Sequence, residues 1–572
     1  MNHSWNLKNP EIKIVEFLSD KLRISKILST LLVNREVNDL KDADIFLNPT
    51  LDKLPNPFLL KDMDKTIDRL IDSIESGEKI VIYGDFDCDG VTSTTILFSF
   101  LRSIEANVEF YIPERIEEGY GINFKSIKNL ADSGARLIVS TDCGISENEL
   151  VERCKELDLD FLITDHHTVP DIKPDSFSIV NPKQRDCSYP FKEICAAGVA
   201  FNLIMALRRK LREKGYFEFV QEPNLARYLD LVAIGTVADS MPILGVNRIF
   251  VQNGLLEIPK THRLGLHALL KKDKSAYTTR DVSFEIAPKI NATGRVGKAS
   301  NAVKLLIEDD ESKIDSLLAI IDEDNKKRRF IQDQVTSEAL VQAEACLREN
   351  PEINSLVLSS TGWHPGVIGI VASKMVDKFH RPCAVITLND QIGKGSLRTN
   401  NGINLFEVLK KCESSLTQFG GHAGAAGITI NPNNIENFRN LFKTSIDDYD
   451  YDISESIDID AEINFSDIDQ ELIDDIHRIE PFGKENESPL FLTNNVQIKN
   501  IKILKEKHLE MMLTAGSDNR RAIWFNCDAN ILNNQKERTL ADKNVNIVYS
   551  IQKDTYNGNT NITLIIRDLT EA

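Results

Sequence analysis

From about residue 78 the apolar positions fall into short β-rich runs separated by helical stretches, the alternation expected of a parallel sheet covered by helices. Strands are predicted at 80–83, 108–112, 137–140, 161–163 and 178–180. The period then changes. Between Ser312 and Arg348 there is no Pro or Gly, and Ile314, Leu317, Leu318, Ile321, Ile331, Val335, Ala339 and Ala343 recur at helical spacing. An unbroken helix there would be roughly 55 Å long and would bridge two domains. A second α/β unit follows, with strands near 355–359, 384–388 and 428–430. The tail holds five alternating or β-rich runs, 496–504, 509–515, 521–526, 545–552 and 561–569, enough for a small OB-type barrel or, alternatively, a β-sandwich. The first 75 residues read as helical, with a turn at Pro55 to Pro57.

These periods divide the 572 residues into a helical segment (1–75), an α/β domain (76–305), a connecting helix (306–350), a smaller α/β domain (351–445), a linker (446–462) and a β-barrel (463–572). The linker assignment rests on charge, because 446–462 carries eight acids and no Lys or Arg. The whole chain has a formal charge of −19, which argues against a surface that adheres to nucleic acid indiscriminately but leaves room for a local groove. Basic clusters stand at RRKLREK (208–214), KKDK (271–274) and NKKRRF (325–330); each reads first as a solvated helix face. Nine cysteines without C-x-x-C pairs suit reduced thiols. With no signal peptide and no apolar run of membrane-spanning length, the expected location is the cytoplasm.

Chemistry collects where the predicted strands end. The first runs into GDFDCDG, the third into TDCG (141–144) and the fourth into TDHH (164–167). In open α/β sheets that edge binds ligands. DFDCDG resembles the opening of a calcium loop, but the twelfth position from Asp85 is Ile96, and a strand stands where an EF-hand needs a helix. The acids Asp85, Asp87 and Asp89, with Asp142, Asp165, His166, His167 and Asp239, form a carboxylate and imidazole set without thiolate. Such a set favours Mn²⁺ or Mg²⁺, and this many ligands can hold two ions. Two adjacent ions clamp the attacking and leaving oxygens of a phosphoryl displacement, so the set points to phosphate ester hydrolysis. Singly, each Asp is as readily a turn or cap acid and each His a satisfied core residue.

The acids of 85–89, then TDCG, DHH and ADSMP (238–242), resemble in order and spacing the DHH phosphoesterase superfamily. PERIEEGYGIN (113–123), INATGR (290–295), GWHPGVIGIVASK (362–374), GKGSLRT (393–399), FGGHAGAAG (419–427) and PFGKENESPLF (481–491) look like its branch of bacterial 5′ to 3′ single-stranded-DNA exonucleases, a likeness that spans about 75–572. The resemblance implies an α/β multidomain fold: a parallel-sheet DHH phosphoesterase domain, the connecting helix, a DHH-associated α/β domain and an OB-type barrel. It implies that Asp87, Asp89, Asp142, His166 and Asp239 hold two divalent cations, with Asp142 between them. Asp85 and Asp165 would orient the ligands, Asp85 also counting among the metal-site acids, and His167 would ligate or face the substrate. Some relatives carry His where Tyr83 stands, which leaves the first ion's ligand set open.

Arg295, Arg398 and Ser396, with Arg115, resemble the family's 5′-phosphate pocket, and His422 would contact the scissile phosphate. Arg suits that task because its planar fork pairs with phosphate oxygens; the bland reading is ion pairs to the surplus of acids. The Gly-rich GGHAGAAG (420–427) is, alone, a turn, and it lacks the GK[ST] ending of a P-loop. The expected function is a monomeric metal-dependent exodeoxyribonuclease on single-stranded DNA in repair and recombination, with single-stranded DNA-binding protein and a helicase implied as partners and no membrane. Alternatives are a phosphodiesterase for oligonucleotides or cyclic dinucleotides, a polyphosphate phosphatase, or a silent replication scaffold.

Overall fold

The computed structural model describes residues 4–115, 118–119, 121–271, 274–400, 402–449, 456–527, 543–556 and 559–572. Parts of PERIEEGYGIN, of KKDK and of the 446–462 run therefore lie outside the described residues. The first sheet has five parallel strands in the order Val108–Tyr111, Lys79–Gly84, Ala135–Thr141, Asp160–Thr164 and Ser178–Val180. Side chains alternate across it. Ile80 and Ile82 enter a core shared with the helices Cys88–Ser103 and Ala196–Glu213, while Val81 and Tyr83 enter the core on the opposite face. Each such fully buried aliphatic chain contributes roughly 1.5–3 kcal/mol.

The connecting helix runs Glu311–Glu349. Its buried stripe starts with Ile314 and Ile321 against the first unit and ends with Val335, Ala339 and Ala343 against the second. Between them the stripe turns polar: Arg328 donates to Asn325 Oδ1 (2.6 Å) and Gln332 Oε1 (2.7 Å), all three buried. The second unit is a five-stranded mixed sheet, ordered Gln418–Gly421, Ala425–Ile430, Gly393–Arg398, Cys383–Leu388 and Leu356–Thr361. Two of these strands, Gly393–Arg398 and Gln418–Gly421, carry too many glycines for apolar alternation to reveal. GGHAGAAG is accordingly a hairpin tip, His422 N donating to Ala425 O at 2.8 Å.

In the C-terminal barrel Phe491–Leu504 pairs with both His508–Ala515 and Asn544–Tyr556, and Asp518–Trp524 joins Asn559–Glu571, so the sheet closes on itself. The closed sheet decides for the barrel over the sandwich.

Two expectations need correction. The 446–462 run is not simply a solvated linker: Ser456–Ile459 is a strand paired in parallel with Ser4–Leu7, with Ile457 and Ile459 buried on either side of Asp458, an alternation masked by the acids of the run. Nor is 1–75 one segment. The helices between Ile12 and Leu47 pack into the barrel's core, whereas Met63–Ser76 packs into the first unit's. Arg248, buried in the first unit, joins all three parts by donating to the carbonyls of Phe46 (2.6 Å), Ile479 (3.0 Å), Arg478 (3.1 Å) and Glu480 (2.6 Å).

Candidate metal centre and anion pocket

The strand Lys79–Gly84 ends at the sheet's carboxyl edge, and the chain turns at once into the helix Cys88–Ser103. Asp87 is that helix's N-cap, its Oδ1 accepting from the N–H groups of Asp89 (2.9 Å) and Gly90 (3.0 Å). A Cβ on Gly90 would stand 2.4 Å from the Asp85 carbonyl oxygen, so the glycine permits the tight turn that seats Asp85. The three acids do not share one volume. Asp85 and Asp87 meet Asp142, whereas Asp89, one turn on, meets His166 and Asp239.

Asp142 follows the third strand with φ 65°, a left-handed backbone that Asp tolerates. It enters two groupings, Asp85/Asp87/Asp142 and Asp142/His166/His167, and His166 also joins Asp89/His166/Asp239; within each the ligand atoms lie within 4.8 Å of one another. His166 Nε2 lies 3.1 Å from Asp142 Oδ1, 3.7 Å from Asp239 Oδ2 and 3.8 Å from Asp89 Oδ2. Asp239 arrives at the end of the buried helix Leu229–Ala238.

Asp165 lies outside these groupings and serves as a brace. Its Oδ1 accepts from the backbone of His166 (2.7 Å) and His167 (3.0 Å) and pairs with His167 Nδ1 (2.7 Å), while Oδ2 accepts from Ile145 N (3.1 Å). Burial lowers the basicity of His167, but Asp165's hydrogen bond and the charges of Asp165, Asp239 and Asp85 outweigh it, raising the imidazole to about 9. Burial pulls His166 below its ordinary value.

The carboxyls show the strain of crowding. Burial, then the charge of Asp87, pushes Asp85 up to about 8 and Asp89 to about 6. Burial, then Asp89, takes Asp239 to about 7, and burial with four neighbouring carboxylates raises Asp142 well above the usual range. Buried acids in such numbers hold their charge only beside cations. The residues fit hard divalent ions: carboxylates and imidazole converge, whereas the nearby Cys88, Cys143 and Cys195 thiols are raised by burial and stay out of every grouping. Tyr83 is no surrogate ligand. Its ring packs 5.3 Å from that of Tyr111 in the core on the other face of the sheet.

The basic residues assemble beside the acids, where the two α/β units meet. Arg295 Nη1 donates across the junction to Gly366 O (3.0 Å); Arg398 Nη1 donates to Ser396 Oγ (3.0 Å) and Leu397 O (2.7 Å). Burial, then the charge of Arg115, lowers Arg295 to about 10, with Arg328 and Arg398 adding to the repulsion and Asp87 opposing it. Arg115 lies over the Phe86 ring at 4.8 Å and its charge reaches Asp85, placing the pocket next to the first acid grouping. Across the same junction the His422 and His167 rings are parallel, 6.4 Å apart.

Sequence reasoning missed several contributors. Arg328 was hidden in NKKRRF as one basic residue among four. Gly369 opens the helix Ile368–Phe379 against this pocket, a Cβ there standing 3.1 Å from both Arg398 Nη2 and Ser396 Oγ. Ala196 and Ala197, at the start of Ala196–Glu213, donate backbone N–H groups to Asp89 at 2.6 and 2.9 Å, and no side chain signals that role. Asn291, inside INATGR, accepts from Cys88 N at 2.9 Å.

A parallel sheet with acids and a DHH triplet at its carboxyl edge, coupled to a second mixed sheet, is the architecture of a DHH phosphoesterase. The family models agree: the DHH family N-terminal domain matches residues 79–236, the DHHA1 domain 352–448 and the RecJ OB domain 459–568. The chain is 34% identical to the single-stranded-DNA-specific exonuclease RecJ of Bacillus subtilis, over 99% of this chain and 70% of that protein. It is 31% identical to RecJ of Haemophilus influenzae, over 98% of each. The crystal structure of Thermus thermophilus RecJ in complex with Mn²⁺ superposes with a TM-score of 0.85 at 26% identity, covering all of this chain and 80% of that one. The chain belongs to the RecJ family.

Proposed function

We propose that the chain is a metal-dependent exodeoxyribonuclease that degrades single-stranded DNA from its 5′ end to 5′-mononucleotides, in DNA repair and recombination. The observation that carries this reading is the buried acid cluster hinged on Asp142, set directly beside an arginine pocket whose guanidiniums are held by amide, hydroxyl and carbonyl groups. Asp85, Asp87 and Asp142 would hold one divalent cation, and Asp89, Asp142, His166 and Asp239 the other. Bound there, the ions supply Lewis-acid charge neutralisation and an acidified water.

The chain's own residues do the rest. Asp165 keeps a proton on His167 Nδ1, and with the imidazole raised to about 9, Nε2 is protonated too in the metal-free site, where it can donate to a phosphate oxygen; that proton would have to leave before Nε2 could hold a cation. Arg295, Arg398, Ser396 and Arg115 seat a terminal 5′ phosphate, so the chain end and the scissile bond register together and one nucleotide leaves per cycle. His422, brought by the second unit, faces the phosphate from the side opposite His167. The barrel suits the trailing strand, since OB folds hold single strands by stacking and phosphate contacts.

The reading extends to a monomer working in the cytoplasm alongside single-stranded DNA-binding protein and a helicase. All nine cysteines are unpaired, which fits a reducing compartment, and among the described residues no helix is long and apolar enough to cross a membrane. Digestion of 5′-labelled and 3′-labelled single strands with Mn²⁺ or Mg²⁺ tests it: the 5′ label is released first, and release from the 3′ end first overturns the polarity.

A further inference from the structure

A second cavity, of about 400 Å³, opens in the first unit away from the acids and the arginine pocket. It lies at the far end of the Cys88–Ser103 helix, which places its Arg102 about 20 Å from Asp89. The helix that delivers Asp239 also begins there, beside Tyr228. The volume is in the range of small-molecule sites.

Its lining is divided. Leu306 and Pro223 give apolar contact, Arg227, Arg263 and Ser99 give donors, and Arg263 lies over the Tyr228 ring at 5.3 Å. Arg263 is 6% exposed, and its Nε and Nη2 have no hydrogen-bond acceptor; Nη1 reaches Ser99 Oγ at 3.4 Å, and Asp230 lies 3.8 Å from Nε. A buried guanidinium with unmet donors is costly unless an anion completes it. Arg227 makes no ion pair among the described residues, although it sits on the rim. The acids nearby are already engaged: Asp309 with Arg102 (2.8 Å), Glu222 with Arg208 (3.5 Å) and Arg212, and Glu308 with the backbone of Asp309 (3.1 Å) and Asp310 (3.0 Å). What remains for a ligand is the positive charge and the donors of Arg227 and Arg263, with apolar contact from Leu306 and Pro223.

We propose that this cavity binds a small phosphate monoester, its phosphate on Arg263 and Arg227 and its organic part against Leu306 and Pro223. Two sources share that chemistry, a mononucleotide and a sugar phosphate. Equilibrium dialysis of the full chain, in EDTA and in an Arg398→Ala background that disables the other anion pocket, separates them and is indifferent to nuclease turnover. One dAMP is expected per chain, with deoxyadenosine failing to bind. Arg227→Glu, and Ser103→Trp as a plug at the rim, should each weaken dAMP at least about tenfold. Tighter dAMP than ribose 5-phosphate assigns the mononucleotide, and equal binding assigns sugar phosphates generally. Absence of binding, deoxyadenosine binding as well as dAMP, or indifference to Arg227→Glu overturns the site.

Discussion

The acid cluster should make the stability of the metal-free protein fall as pH rises, and Asp239 offers one measure of it. Burial and the charge of Asp89 raise this carboxyl from 3.8 to about 7. A shift of roughly 3 units corresponds to about 4 kcal/mol between the charged and neutral folded forms. The side chain is 29% exposed, so solvent screening reduces the effect to about 2 kcal/mol. The sign follows from proton counting. The folded state holds its proton to higher pH than the unfolded chain, so the contribution is fully present below 3.8 and is lost as pH rises to about 7. Asp85 and Asp89 are raised in the same direction, and because the groups interact their protons leave as a set rather than additively.

Stability of EDTA-treated protein should therefore fall between about pH 4 and about pH 7, and Mn²⁺ should restore it by binding only the folded state. Asp239→Asn should stabilise the metal-free protein by about 2 kcal/mol at neutral pH, leave it unchanged below about pH 4, and lose much of the Mn²⁺ response. Urea denaturation followed by intrinsic fluorescence, with and without Mn²⁺ across that range, reads all three. A metal-free Asp239→Asn less stable than wild type at neutral pH would refute the reasoning, because it would mean that the carboxylate is stabilising without a cation.

Further outcomes follow from the same geometry. Asp142→Ala should lower nuclease turnover by about a thousandfold or more while single-strand binding, read by anisotropy in EDTA, is retained. Arg398→Ala should lose about 1.5–3 kcal/mol of transition-state binding, some 10- to 150-fold in kcat/KM, on 5′-phosphorylated strands only; an equal loss on 5′-hydroxyl strands would remove Arg398 from the phosphate pocket. Gly90→Ala pushes a methyl against the Asp85 carbonyl and should cost about 1–3 kcal/mol in thermal unfolding together with most of the activity. Arg248→Met removes the guanidinium from four carbonyls, two of them in buried hydrogen bonds, and should cost about 3 kcal/mol, with limited proteolysis cutting between the first unit and the barrel.

Much of this molecule is legible wherever a single element carries its own signal. The inner parallel strands Lys79–Gly84, Ala135–Thr141 and Asp160–Thr164 announce themselves because they are buried on both faces and read as apolar runs, the partly exposed edge strand Val108–Tyr111 less so, and the connecting helix because nothing in 312–348 interrupts its period. The acids and histidines at strand ends are legible for the same reason, since the strand tells where the sheet's edge lies. What stays hidden depends on partners distant in sequence. The glycine-rich strands Gly393–Arg398 and Gln418–Gly421 have too few side chains to alternate, and they form because each finds a neighbour across the sheet. Ser456–Ile459 hides behind its acids because its hydrogen bonds go to residues more than 400 positions away.

The connecting helix shows what that limit means for function. Its periodicity predicts a bridge, and periodicity cannot distinguish a passive bridge from an active one. The distinction lies in three residues, Asn325, Arg328 and Gln332, which keep the helical spacing of the buried stripe but replace its apolar character where the two units meet. Burying a guanidinium on two neutral amides is expensive for a spacer, and a leucine there would pack at no such cost. Arg328 adds to the positive field around Arg295. The helix thus sets the spacing between the acid cluster and the second unit's arginine, and it contributes charge to the junction it spans.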